Sequence, residues 1–206
     1  MKTNHNSDGL LFFYGPAIDS ERNVPDFMAV ALNQSHLEMT FDLGAGIGHI
    51  RTEVSVVDDR VHDVFVKLSG RTGTIMVDGI SFSDTSPGSL TSLNSVGDIY
   101  FGGVPHYSSM TGARYNAGYV GCIWDIEIGI SGVLDLISST KRSRNIMPCE
   151  DESSQVEVDH FLGGVILKYQ SSHSFHSIPM GTVLGGGLVW FGGQHQFNST
   201  QRLLMC

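Results

Sequence analysis

The sequence predicts an all-β protein on three observations. Short apolar runs alternate with polar residues at a period of two, which places successive side chains on opposite faces of a strand. Turn-forming residues separate these runs, and glycine is abundant, with 25 among 206 residues. No stretch before residue 149 has a convincing helical period. A chain of this length is large enough for one domain with a buried core.

The first two elements are a buried strand and a β-hairpin. The wholly apolar run over residues 10–14 is typical of a strand that is covered on both faces. Residues 26–44 then form a hairpin whose second arm alternates strictly, and a turn at Gln34 and Ser35 sets its register. The expected cross-strand pairs are Leu32 with Leu37, Val30 with Met39, Met28 with Phe41, and Asp26 with Leu43. The Asp26 carboxylate is therefore expected at the open end of the hairpin, beside the main chain of Leu43.

Further strands follow at short intervals. They are expected at residues 49–57, 64–68, 74–78, 98–101 and 120–128, and residues 81–92 are expected to form a polar loop. The last strand places Val120, Cys122, Trp124, Ile126 and Ile128 on one face, so the Cys122 side chain is expected to point into the core.

The end of the chain suggests a different unit. Residues 150–155 are polar and acidic, which is typical of a linker. Apolar runs near residues 163–169 and 187–193 predict two strands beyond it. The tail, residues 156–206, is expected to be either the truncated start of a second domain or a segment whose strands pair with an open edge of the first.

Composition excludes several classes of function. The net charge of −9 and the pI near 5.3 offer little to a nucleic-acid backbone. No apolar run approaches the roughly 20 residues of a membrane helix, and the first residues lack the apolar segment of a signal peptide. The three cysteines, Cys122, Cys149 and Cys206, contain no Cys-x-x-Cys pair and predict one disulfide and one leftover thiol.

Several short sequence segments, named at the end of this paragraph, together resemble the laminin G-like domain found in laminins, agrin, perlecan and neurexins. They run in the order of that family over residues 7–149, although the opening strand or strands of the family are missing before Ser7. The segments are Ser7-Asp8-Gly9-Leu10-Leu11-Phe12-Phe13-Tyr14-Gly15, Asp26-Phe27, Phe41-Asp42-Leu43-Gly44, Val77-Asp78-Gly79, Ile99-Tyr100-Phe101-Gly102-Gly103-Val104-Pro105 and Gly118-Tyr119-Val120-Gly121-Cys122-Ile123.

This resemblance implies a fold and a metal site. The expected fold is a sandwich of two curved antiparallel sheets, a jelly roll of lectin-like topology. The expected Ca²⁺ site lies on its rim and is formed by the side chains of Asp26 and Asn94 and the carbonyls of Leu43 and Ser92. Oxygen ligands with few charges suit Ca²⁺ of extracellular affinity.

The resemblance also implies covalent features and a location. It pairs Cys122 with Cys149 and leaves Cys206 free or available to another chain. The chain is expected to act outside the cell, as part of a basement membrane or cell-adhesion protein. In that compartment Asn33 and Asn198 are candidate N-glycosylation acceptors, because each begins an Asn-x-Ser/Thr motif.

The leading functional hypothesis is a recognition module that binds a glycan or a matrix or cell-surface protein at a calcium-bearing rim, with no nucleic-acid partner and no membrane insertion. The sequence contains no set of residues that suggests catalysis, so the chain is not expected to be an enzyme. Two alternatives stay open at this point. One is a polysaccharide-degrading enzyme on the same fold, and the other is a structural spacer of a matrix proteoglycan.

Overall fold

The computed structural model describes residues 1–16, 26–95, 97–129, 133–134, 140–144, 146–149, 168–169, 187–191 and 202–205. One short helix, α1 (Tyr107–Thr111), occurs in these ranges. The strands in chain order are β1 (Gly9–Tyr14), β2 (Phe27–Asn33), β3 (His36–Asp42), β4 (Ile47–Ser55), β5 (Val64–Ser69), β6 (Thr72–Val77), β7 (Ile80–Thr85), β8 (Ile99–Phe101), β9 (Gly121–Trp124), β10 (Ile126–Ile128), β11 (Thr140–Arg142), β12 (Ile146–Pro148), β13 (Lys168–Tyr169), β14 (Gly187–Phe191) and β15 (Arg202–Met205).

Two five-stranded antiparallel sheets form a sandwich, so the predicted fold class is confirmed. The first sheet has the order β4-β3-β2-β1-β8, and the second has the order β10-β14-β5-β6-β7. The apolar faces of both sheets meet in one core, which contains fully buried residues from β1 to β6 together with Ile123 and Ile126. Two smaller sheets, β11-β13 and β12-β15-β9, adjoin the sandwich.

The β2–β3 hairpin has the register that the sequence predicts. Leu32 pairs with Leu37, Val30 with Met39, and Met28 with Phe41. The turn residues Gln34 and Ser35 have φ values of 48° and 68°, which is the backbone that a two-residue hairpin turn of type I′ requires.

Strand β1 is buried on both faces, as its apolar sequence predicts. One face packs in the main core, where the Phe12 ring meets the Phe101 ring edge-on at 5.5 Å between centroids. On the other face, Leu10 and Phe13 belong to a second apolar cluster beneath α1, together with Ala29, Tyr100 and Met110.

The prediction that Cys122 points into the core from a continuous strand over residues 120–128 was wrong. Two strands lie there, and Asp125 between them has a φ of 50°. Ile123 is fully buried, whereas Cys122 is only half-buried. The left-handed residue interrupts the alternation, so Ile126 returns to the core three positions after Ile123 and not two.

The sequence also did not predict β7, α1, β11, β12 or β15. Strand β7 lies where a polar loop was expected, because it is an exposed edge strand with only two apolar side chains, Ile80 and Phe82. Helix α1 has only five residues, which is too short to give a helical period.

Strands beyond residue 150 pair with strands that come before it in the chain. The backbone of β14 lies between β5 and β10, with Val189 opposite Val66 and Trp190 opposite Glu127. Strand β15 pairs with both β9 and β12. The boundaries of the expected domain at 7–149 and tail at 156–206 stay predictions, and the expected linker at 150–155 lies outside the described residues.

A disulfide joins Cys122 to Cys149, the pair that the resemblance implies, with the two Cα atoms 6.0 Å apart. The Cys122 backbone also pairs with Lys2, through N–H···O bonds of 2.9 Å and 2.8 Å. Residues before Ser7 therefore contact the last strands of the sandwich. Cys206 lies outside the described residues.

The Phe41 ring lies between two glycines of opposite sheets. Gly48 is its neighbour on β4, and Gly73 faces it from β6. A Cβ at either position would overlap the ring. Both glycines are thus required by the close approach of the aromatic side chain.

We expect Gly73→Ala to lower the free energy of unfolding by about 1–3 kcal/mol, because the added methyl group would force the fully buried Phe41 ring to shift. Urea denaturation of Gly73→Ala, Phe41→Leu and the double variant measures the effect. The smaller leucine should remove much of the penalty of the alanine, so strictly additive losses would contradict this account.

A histidine is buried between two aspartates at the start of the second sheet. The His62 side chain is 3% exposed, and its Nδ1 lies 2.7 Å from Asp78 Oδ2 and its Nε2 lies 2.8 Å from Asp58 Oδ1. Both ring nitrogens therefore lie within hydrogen-bond distance of a carboxylate oxygen, and the two aspartates fix the orientation of the buried ring. Burial alone would raise the pKa of Asp58, but hydrogen bonds from Arg60 and His62 hold it well below its usual range.

Since the pKa of Asp58 is lower in the folded protein, its contribution to stability is present above about pH 4, the usual value for an unfolded aspartate, and is lost as the pH falls further. We expect Asp58→Asn to cost about 1–3 kcal/mol at pH 7 and progressively less below pH 4. Urea denaturation from pH 3 to pH 7 measures the difference. The adjacent, exposed Asp59→Asn is the control and should show no such convergence.

Candidate calcium-binding rim

The open end of the β2–β3 hairpin places Asp26 beside the backbone that follows β3. The last pair of the β2–β3 ladder is Phe27 with Asp42, so Asp26 comes one position further, level with Leu43. Its Oδ1 would lie 3.1 Å from a Cβ at Gly44, which has a φ of 89°. The Leu43 side chain is 1% exposed, and this burial anchors the main chain next to the Asp26 carboxylate.

The segment before β8 meets the same carboxylate. The backbone N–H of Asn94 donates a hydrogen bond of 2.7 Å to Asp26 Oδ2, across 68 positions of sequence. Asn94 is exposed and Ser92 is half-buried. The structure therefore brings Asp26 directly to Asn94 and to the residue after Leu43, while Ser92 lies two positions from the contact.

Asp42 shapes the loop that leaves β3, a role that was not predicted from the sequence. Its Oδ1 accepts hydrogen bonds from the N–H groups of Gly44 at 2.8 Å and Gly46 at 3.1 Å. Gly46 has a φ of 120°. An aspartate followed by alternating glycines is the sequence signal for this side-chain-capped turn, and it could have revealed the function of Asp42.

Arg71 holds the neighbouring loop, and it too was missed. Its Nη1 donates to the carbonyls of Ser86 at 3.1 Å and Gly88 at 2.6 Å. This loop packs on the one that Asp42 shapes, since Cβ atoms at Gly88 and Gly46 would overlap Ala45 and Pro87. The arginine comes from a turn between β5 and β6, so no local pattern of sequence connects it to the rim.

The donor set fits a calcium ion. Asp26 Oδ2 is occupied by the Asn94 N–H, which leaves Oδ1 facing the loop after Leu43. The other candidate donors are a side-chain amide oxygen and two carbonyls, and hard oxygen donors are the ligands that Ca²⁺ prefers. Among the described residues no group of three or more His, Cys, Asp or Glu side chains is placed to hold a metal. A site here would depend on main-chain oxygens.

The two glycosylation motifs differ in what surrounds them. Asn33 is half-buried, and its Nδ2 donates to Glu38 Oε1 at 3.0 Å. A glycan on this nitrogen would disturb that bond. Asn198 lies outside the described residues, and modification of either asparagine stays a prediction.

The described residues thus form a β-sandwich with the half-buried Asp26 carboxylate at its rim. The family model of the laminin G domain matches residues 1–130, and the chain belongs to this family.

The relatives are proteins of the matrix and of cell adhesion. A "Basement membrane proteoglycan" of Caenorhabditis elegans is 34% identical over 146 residues, which cover 70% of this chain and 4% of that protein. Human "Pikachurin" is 31% identical over 143 residues, covering 69% of this chain and 14% of that protein. The crystal structure of the LG1-3 region of the laminin alpha2 chain matches 57% of this chain and 23% of that chain, with a TM-score of 0.50 and 22% identity, and supports the fold alone.

These comparisons confirm the assignment to an extracellular matrix and adhesion family and exclude the enzyme alternative, because the homologues are non-enzymatic. The chain spans only a small fraction of each relative's length. Within the described residues no helix has the length and apolarity needed to cross a bilayer.

We expect Arg71→Met to loosen the rim without unfolding the sandwich, because it removes two hydrogen bonds to the loop at residues 86–88 but keeps the aliphatic stem. Hydrogen exchange should quicken at residues 43–46 and 86–94 and stay unchanged in β1 and β2. Unchanged exchange at the rim would show that the arginine does not hold the loop.

Proposed function

We propose that this chain is an extracellular recognition module that binds one Ca²⁺ at the rim and binds a glycan or a matrix or cell-surface protein there. The ion would be held by the side chains of Asp26 and Asn94 and the carbonyls of Leu43 and Ser92. The observation that carries the proposal is the Asn94 N–H bond to the Asp26 carboxylate, which joins two segments that are distant in sequence.

Charge explains why an ion would matter at this rim. The chain has a net charge of −9, so anionic ligands are repelled overall. A Ca²⁺ ion with positions left open by its protein ligands would supply a local positive charge, at which acidic or hydroxyl oxygens of a ligand could bind.

The extracellular location is part of the same proposal. The disulfide between Cys122 and Cys149 persists in an oxidising compartment and not in the cytosol. The relatives with "basement membrane" in their names support this location.

Calorimetric titration with CaCl₂ tests the metal site. With one formally charged ligand, we expect a dissociation constant on the order of 10⁻⁴ to 10⁻³ M, as in other extracellular modules. Asp26→Asn keeps an acceptor for the Asn94 N–H but removes the charge, and should weaken Ca²⁺ binding at least tenfold. Asp84→Asn, an exposed aspartate on β7, is the matched control and should bind as the parent does.

Binding to immobilised glycans and matrix proteins, with CaCl₂ or with EDTA, tests the recognition role. A ligand that is retained with CaCl₂, released by EDTA and lost in Asp26→Asn supports the proposal. Equal Ca²⁺ affinity in Asp26→Asn and the parent protein would rule out the proposed metal site. If none of the immobilised glycans or matrix proteins binds, the result would favour the alternative that the chain is a structural spacer.

A further inference from the structure

A second concave surface lies on the outer face of the first sheet, away from the sandwich core. It is a cleft of about 390 Å³ between β2, β3 and β4 on one side and residues 113–117 on the other. We call it the outer cleft. Its volume lies at the small end of the range for ligand pockets, roughly 300–1,000 Å³, and suits a ligand of one or two sugar rings.

Glu38 supplies a fixed carboxylate in the outer cleft. Its side chain is 12% exposed, Oε1 accepts hydrogen bonds from Asn33 and Arg51, and Oε2 lies 3.3 Å from His49 Nε2. Burial alone would raise the pKa of Glu38, but hydrogen bonds from these three neighbours hold it below its usual value. The carboxylate is therefore charged at neutral pH and held in position, with acceptor capacity left on Oε2.

A tyrosine hydroxyl lies in the opposite wall. Tyr115 lines the outer cleft, and its buried oxygen makes no hydrogen bond of full geometry among the described residues, although Thr40 lies near enough to lower its pKa as a hydrogen-bond partner does. Burial raises the pKa of this hydroxyl by more than Thr40 lowers it, so it stays protonated. A water or ligand oxygen that reached this hydroxyl would complete its hydrogen bonding.

The charges around the outer cleft nearly balance. Asp8 and Glu38 bring negative charge to its lining, while Arg114 brings positive charge and Arg51 is bound directly to Glu38. Such a lining favours neither a polyanion nor a cationic peptide. It offers acceptors and donors together, and Ile47 adds an apolar side chain that is 44% exposed.

We propose that the outer cleft binds a neutral saccharide, with the Glu38 carboxylate accepting from ligand hydroxyl groups and the Tyr115 hydroxyl bonding a ligand oxygen. A sugar ring presents hydroxyl groups at its edge and C–H groups on its faces, which matches a lining of mixed donors, acceptors and one exposed aliphatic side chain.

This site is separate from the proposed calcium-binding rim. Glu38 pairs with Ala31, five positions along β2 from Asp26. At about 3.3 Å per residue, Glu38 and Asp26 lie roughly 17 Å apart along the strand. Saccharide binding in the outer cleft should therefore be independent of Ca²⁺.

The test is a titration of ¹⁵N-labelled protein followed by NMR. The protein is made in an oxidising bacterial host, which leaves Asn33 unmodified. The probes are the methyl glycosides of galactose, mannose, glucose and N-acetylglucosamine, and lactose, each in EDTA. For at least one probe we expect saturable shifts of the amides at Glu38, Thr40 and residues 113–117, with a dissociation constant on the order of 1 mM.

Glu38→Gln, which keeps the shape of the side chain, should weaken binding at least fivefold, and Tyr115→Phe should weaken it to a similar degree. Glu53→Gln is the matched control, because Glu53 is exposed on β4 and does not line the cleft. Asp26→Asn should leave saccharide binding unchanged, so failure of the rim site and failure of this site are separable. Retained amide dispersion in each variant shows that it is folded.

Three results would overturn the proposal. The first is the absence of saturable shifts with every neutral probe up to 50 times the expected dissociation constant of about 1 mM. The second is a set of shifts centred on residues 43–46 and 87–94. The third is unchanged affinity in both Glu38→Gln and Tyr115→Phe. A heparin disaccharide or a lysine-rich peptide that shifts the cleft amides when no neutral sugar does would equally rule out a saccharide of this class.

Discussion

The β2–β3 turn fixes the register on which both candidate sites depend. Gln34 and Ser35 take left-handed backbone without glycine, which costs on the order of 1–2 kcal/mol per residue. Contacts from elsewhere offset this cost. Asp8 Oδ1 accepts the Gln34 N–H at 2.7 Å, and the Ser35 carbonyl accepts the Val56 N–H at 2.9 Å. A slip of one position would send every core side chain of β3 to the solvent face, so these few bonds hold the whole first sheet in place.

The register then distributes the polar side chains of the hairpin between two surfaces. Alternation turns Leu37, Met39 and Phe41 into the core and leaves Glu38 and Thr40 on the outer face. The strand ends bring the Asp26 carboxylate to the rim. Because each side chain is placed by the same pleat, the rim and the outer cleft are geometrically linked although they share no residue.

Elements with a local signal could be predicted from the sequence, and those that depend on distant partners could not. The hairpin followed from its alternation, and Asp26 followed from the register. Asp125 was not foreseen, because a single left-handed aspartate inside a strand has no distinctive neighbours. His62 also gave no signal, since its partners Asp58 and Asp78 come from opposite ends of β5–β6 and meet only in the fold. Arg71 holds the rim by donating to the backbone carbonyls of Ser86 and Gly88. Every residue has a backbone carbonyl, so the sequence does not show which ones the arginine will bind.

The two surfaces differ in how their carboxylates are neutralised, and this difference is the physical basis for proposing different ligands at each. At the rim, Asp26 and Asp42 are held by neutral backbone N–H groups, so their negative charge is left to attract a cation. In the outer cleft, Arg51 compensates the charge of Glu38 within hydrogen-bond distance. A carboxylate paired in this way still accepts hydrogen bonds but no longer draws ions, because the two fields cancel over a few ångströms. Under the two proposals, one acidic sandwich would carry a cation-dependent surface and a cation-independent one without any change of fold.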